Sequence, residues 1–113
     1  MPKAPAPEKG SVQGSSYPSG HAVVSWVVAL ALSEVSPASA QAVVTRAVSF
    51  GDSRVVCGLH FPSDIEAGHK LAAALAARLF ETPAFVHDLK CARREVEAVQ
   101  KGEHAEDLPA CPA

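Results

Sequence analysis

Ala22-Val23-Val24-Ser25-Trp26-Val27-Val28-Ala29-Leu30-Ala31-Leu32-Ser33-Glu34 is the stretch on which the fold turns. Val23, Val27 and Leu30 share one helical face, while Trp26, Val24 and Ala31 cover much of another. A helix that is apolar nearly all round belongs in a core. Its strongly apolar part, residues 22–32, is interrupted by Ser25 and falls well short of the ~20 residues needed to cross a bilayer. The segment therefore predicts the central helix of an all-α, soluble bundle.

On its C-terminal side, Ser36-Pro37 is a helix-start signal, with Ser as N-cap and Pro at the first helical position. Val44, Val48, Gly51 and Val55 follow at helical spacing, with Gly51 and Gly58 leaving the end of that helix open. A third helix is expected over residues 63–80, where Ile65, Gly68, Ala72, Leu75 and Leu79 recur and Ser63 with Glu66 has capping-box form. Thr82-Pro83 opens a fourth, with Phe85, Leu89, Ala92, Val96 and Val99 along one stripe opposite Lys90, Arg94 and Glu97. No convincing strand and no internal repeat is found.

The flanks differ from this helical middle. Residues 1–16 are rich in proline, glycine and serine and are expected to form a flexible arm, and residues 101–113 a flexible tail. Residues 17–100 form the predicted helical domain. At 113 residues, 48% apolar, the chain can bury one modest core. Ten Lys and Arg against twelve Asp and Glu leave a net charge of -2 with no basic cluster beyond Arg93-Arg94. Nucleic acid and anionic membrane surfaces are thereby excluded as partners.

Met1 to Pro5 carries no apolar leader-like run. Cys57, Cys91 and Cys111 match no zinc pattern, which needs close pairs, and leave one Cys57–Cys91 bridge open. Cys57 itself reads as a small buried residue, and Trp26 and Phe85 as core.

Two segments concentrate reactive groups beside apolar helices. In Tyr17-Pro18-Ser19-Gly20-His21, Ser19 suits an N-cap, so the N–H groups of Gly20 and His21 face outward at the positive end of a helix dipole, where phosphate binds well. Gly20 permits close approach of an oxyanion, the Ser19 hydroxyl can add a hydrogen bond, and His21 can deliver a proton. In the second segment, residues 53–64, the Arg54 guanidinium matches phosphate oxygens, and His60 lies four residues before Asp64, one helical turn. A carboxylate holding one ring nitrogen of His60 leaves the other as an aimed nucleophile.

Pro18-Ser19-Gly20-His21, a 31-residue gap, then Ser53-Arg54, five residues, His60, three residues and Asp64 resembles two signature motifs of the superfamily that unites bacterial class A nonspecific acid phosphatases, type 2 phosphatidic acid phosphatases and vanadium haloperoxidases. The wider wording, Ser16-Tyr17-Pro18 and Pro83-Ala84-Phe85 with Asp88-Leu89, is closest to the acid phosphatases. The resemblance covers roughly residues 15–97 and implies the helical fold of that superfamily.

It further implies that His60 attacks phosphorus to form a phosphohistidine, that Asp64 orients it, and that His21 protonates the leaving alcohol. Ser19, Gly20 and Arg54 would bind the phosphoryl oxygens, with no metal or cofactor and with vanadate as a phosphate mimic. Small phosphate esters are the implied substrates and the periplasm the implied location; a homo-oligomer is left open. The family's first motif, Lys, six residues, Arg-Pro, has no counterpart: only Lys3 and Lys9 are cationic before Pro18, and the first arginine is Arg46. An N-terminally truncated fold with weak or no turnover is the expectation, since each lost contact to a developing charge costs ~3 kcal/mol.

Four other readings compete with this one. They are a zinc set of His60, Asp64 and His69, a Ser-His-Asp hydrolase using Ser19 without the Gly-x-Ser-x-Gly elbow, a vanadate-dependent haloperoxidase, and a catalytically inactive helical interaction module. A lipid phosphatase would need membrane-spanning helices that residues 22–32 cannot supply.

Overall fold

Four α-helices make up the computed structural model, which describes residues 16–113: α1 (Gly20–Val35), α2 (Ala40–Val56), α3 (Pro62–Leu79) and α4 (Pro83–Gln100). Short 3-10 turns at Pro37–Ser39 and Ala105–Asp107 complete the described residues, which contain no strand. The arm expected over residues 1–16 lies outside the described residues, apart from Ser16. No helix is long and apolar enough to cross a membrane among the described residues.

Helix α1 is the hub, packing against α2, α3 and α4. Its burial is narrower than an all-round apolar helix suggests. Ala22, Ala29 and Val35 are buried, whereas Val24, Val28 and Leu32, one turn apart on a single face, are 63, 48 and 45% exposed. Six of the eight buried apolar residues among the described ones are alanines. The interior is therefore built by close backbone approach rather than by large side chains.

The tightest approach is between α1 and α3 at Gly68, where a Cβ would stand 2.7 Å from Ala22 Cβ and 2.8 Å from the Ser19 carbonyl oxygen. Only hydrogen fits there. Trp26 of α1 then stacks on His69 of α3, ring centroids 4.4 Å apart, so Trp26 is half-buried rather than core.

Helix ends deviate from expectation in instructive ways. Pro37 starts a 3-10 turn, and α2 follows only at Ala40; the Ser36 hydroxyl bonds the Ser39 hydroxyl instead of capping a backbone N–H. Gly51 passes inside α2, and Gly58, at φ +75°, ends it. There Leu59 N–H donates to Arg54 O (2.9 Å) and Gly58 N–H to Val55 O (3.0 Å), a Schellman closure. Helix α3 begins one residue early, and its capping carboxylate is Asp64, accepting from Phe61 N–H at 2.8 Å, not Glu66.

The cysteine expectation is corrected. Cys91 bonds Cys111, with Cα atoms 5.8 Å apart, while Cys57 is exposed and free. The bridge draws residues 101–113 back along α4, where Arg94 also donates to Pro109 O at 2.6 Å. Composition alone predicts a loose tail here; the Cys91–Cys111 bridge ties the segment to α4.

Candidate active site

The N-terminus of α1, the last turn of α2, the α2–α3 turn and the first turn of α3 meet at one end of the bundle, and each brings one reactive group. Ser19 is the N-cap of α1: its Oγ accepts from Ala22 N–H at 3.2 Å. Its own N–H donates to Asp64 O at 3.0 Å, which fastens the start of α1 to the start of α3. Ser19 is fully buried, so its hydroxyl acts first as a cap. Gly20 opens outward, with nothing within 4 Å of where a Cβ would stand.

The Schellman closure of α2 delivers His60. Beyond Leu59, the His60 N–H also donates to Arg54 O at 3.2 Å, so one carbonyl links the phosphate-matching arginine to the histidine. The Arg54 guanidinium lies 4.9 Å over the Phe50 ring and its Nε donates to Ser53 Oγ at 3.1 Å. A stacked and hydrogen-bonded guanidinium is pre-oriented for an anion.

Around His60, Asp64 Oδ2 lies 3.4 Å from Nδ1, and Ser16 Oγ lies 3.4 Å from the same nitrogen. Ser16 O–H donates to Asp64 Oδ2 at 2.8 Å. A carboxylate and a committed hydroxyl oxygen facing Nδ1 favour the tautomer with its proton there, which leaves the lone pair on Nε2. Nε2 faces His21, whose Nδ1 is 3.3 Å away. The two rings meet edge-on at 5.5 Å, and Phe50 borders His21 on another side.

Electrostatics follow from these contacts. Burial opposes ionisation of Asp64, but the Phe61 N–H, the Ser16 hydroxyl and the His60 ring together hold its carboxyl below the usual carboxylate range. His21 is pushed below the ordinary histidine value by burial, and then by the charges of His60 and Arg54.

The structure brings together all six residues singled out in the sequence: Ser19, Gly20, His21, Arg54, His60 and Asp64. Two further contributors, Ser16 and Phe50, were not singled out. Ser16 sits in a proline- and serine-rich stretch that reads as an arm, and Phe50 is legible only as the residue one turn before Arg54. The zinc set of His60, Asp64 and His69 is not assembled, because the His69 ring stacks on Trp26.

A family model described as the PAP2 superfamily matches residues 2–87. The chain is 39% identical over 103 residues to an acid phosphatase of Zymomonas mobilis, covering 91% of this chain and 39% of that protein. It is 40% identical over 105 residues to a non-specific acid phosphatase of Salmonella typhimurium, covering 93% and 42%. It is also 42% identical over 92 residues to one of Salmonella typhi, covering 81% and 37%. The chain thus spans about two fifths of the length of these relatives.

Proposed function

Because the chain belongs to the PAP2 superfamily, we propose that it carries the histidine half of an acid phosphatase site and hydrolyses small phosphomonoesters through a phosphohistidine. The observation that carries this reading is the placement of the His60 ring, with Asp64 and Ser16 on Nδ1 and Nε2 facing His21.

In the first step the Nε2 lone pair of His60 attacks phosphorus, the ester P–O bond breaks, and the departing oxygen takes a proton from His21. Water, losing its proton to the now neutral His21, then attacks phosphorus, and phosphate leaves with His60 restored. Arg54 and the N–H groups of Gly20 and His21 neutralise the equatorial oxygens, the main demand of phosphoryl transfer. The reaction as written uses side chains and backbone alone.

The 3.3 Å between His60 Nε2 and His21 Nδ1 leaves no room for a phosphoryl group. Attack needs ~3 Å on one side of phosphorus and a hydrogen bond to the leaving oxygen on the other. His21, which is exposed, therefore swings outward as substrate enters.

Arg54 is the one arginine or lysine at the site among the described residues, so turnover by this 113-residue chain is expected to be slow. The Cys91–Cys111 bridge supports an oxidising location such as the periplasm. The test is hydrolysis of an aryl phosphate at about pH 5 to 6, below the ordinary histidine value, where the depressed His21 acid gains its proton. Slow turnover that falls at least ~100-fold in His60→Ala supports the proposal. Turnover undiminished in that variant overturns it.

A further inference from the structure

We propose that His87, Cys91 and Cys111 form a soft-metal site, taking one zinc ion when the Cys91–Cys111 disulfide is reduced. The site lies on α4 and the C-terminal segment, which contribute no residue to the phosphate site.

His87 and Cys91 are four residues apart on α4 and so share one face, the spacing at which two helical side chains converge on one ion. His87 Nε2 is 3.7 Å from Cys91 Sγ. A tetrahedral zinc with Zn–S of ~2.3 Å and Zn–N of ~2.0 Å needs ligand atoms roughly 3.5 Å apart. This edge of the tetrahedron is already present. The Cys111 sulfur completes a set in which all three donor atoms lie within 4.8 Å of one another.

The surroundings match what such a site requires. Asp88 Oδ1 is 3.4 Å from His87 Nδ1, positioned to hold the proton there and leave Nε2 as the ligand. Nε2 now donates to the Pro112 carbonyl; zinc binding replaces that hydrogen bond, the Nε2 proton leaving and the carbonyl turning aside for the ion. All three ligating residues are partly solvent-accessible, which gives the ion an entry path and a water for its fourth position.

The exchange balances. A two-electron reductant, a dithiol or a phosphine, cleaves the S–S bond to two thiols; with a phosphine, water supplies the oxygen of the phosphine oxide and the two protons. Zinc then displaces one proton from each thiol and binds two thiolates and a neutral imidazole. In either redox state the C-terminal segment stays fastened to α4, by sulfur–sulfur bonding in one and by the ion in the other.

The test uses the full chain reduced with a phosphine and titrated with Co2+, then with Zn2+ in competition. One equivalent of Co2+ should bind with a thiolate-to-metal charge-transfer band and be displaced by Zn2+. Cys111→Ser should lose the band, and Asp88→Asn should weaken binding ~10-fold. Cys57→Ser should leave it unchanged, and the unreduced chain should show no band. Absence of the band in the reduced chain, its persistence in Cys111→Ser, its loss in Cys57→Ser or its presence before reduction would overturn the proposal. Helical circular dichroism on every variant separates ligand loss from unfolding.

Discussion

Among the described residues, His60 has two oxygen partners at one nitrogen and a second imidazole at the other, and the proposed reactivity rests on that asymmetry. Replacing Asp64 with Asn keeps an acceptor for Phe61 N–H but removes the charge facing Nδ1. Turnover should then fall ~100-fold or more, with little change in KM. Ser16→Ala removes a 2.8 Å bond to an ionised carboxylate, an interaction of ~1.5–3 kcal/mol, and should slow turnover by about one to two orders of magnitude. An unchanged rate in both would show that His60 needs no orienting partner. His21 sets the pH dependence. Since burial and the His60 and Arg54 charges lower its pKa, the protonated acid should be lost below 6.5 in kcat/KM as pH rises. A bound phosphoryl dianion favours the protonated ring, so the same limb should lie at higher pH in kcat.

Between elements, the decisive contact is α1 against α3. Gly68→Ala would drive a methyl group into Ala22 and the Ser19 carbonyl, and it should destabilise the chain by ~1–3 kcal/mol in denaturant titration while loosening the Ser19–Asp64 link. Gly20→Ala meets no neighbour and should leave stability unchanged or higher, yet weaken vanadate or phosphate binding by narrowing the approach to the α1 N-terminus. The same helix pair contains a built-in reporter. His69 is held below the ordinary histidine value by burial, against the opposing pull of Asp52, and its buried Nε2 has no hydrogen-bond partner among the described residues. A histidine whose folded pKa is depressed contributes stability that is full above the unfolded value of 6.5 and is lost as pH falls below it. Trp26, the single tryptophan, stacks on that ring. Its fluorescence should therefore track a loss of stability below pH 6.5 that His69→Phe reduces, His21 contributing the remainder; an equal loss in His69→Phe and the wild type would contradict this.

Helical periodicity and proline start signals make α1, α3 and α4 legible in the sequence to within a few residues, and the spaced Pro-Ser-Gly-His and Ser-Arg, His, Asp motifs name the six candidate residues that the fold brings together. What the sequence hides is set by tertiary contact. Asp64 rather than Glu66 caps α3 because the N-cap is Phe61, two residues before Ser63, which puts Asp64 at the third helical position. Cys91 pairs with Cys111 because the chain folds back along α4, which composition cannot foretell. Ser16 looks like arm sequence until α3 is packed beside it.

At the scale of the whole molecule, the alanine-lined interior leaves Val24, Val28 and Leu32 of α1 and Leu71 and Leu75 of α3 substantially exposed. Each fully buried Val or Leu would contribute ~1.5–3 kcal/mol, so this surface withholds much of the stabilisation the composition offers. The chain should bind a hydrophobic dye in its native state, and Val28→Gln with Leu32→Gln should reduce that signal without loss of helicity. The account as a whole stands on His60 as the nucleophile. Mixing the chain with an aryl phosphate and mapping the acid-labile phosphoryl group by mass spectrometry under alkaline quench tests that directly. The adduct should lie on His60, build up further in His21→Ala and vanish in His60→Ala. An adduct on another residue, or one that survives His60→Ala, would contradict it.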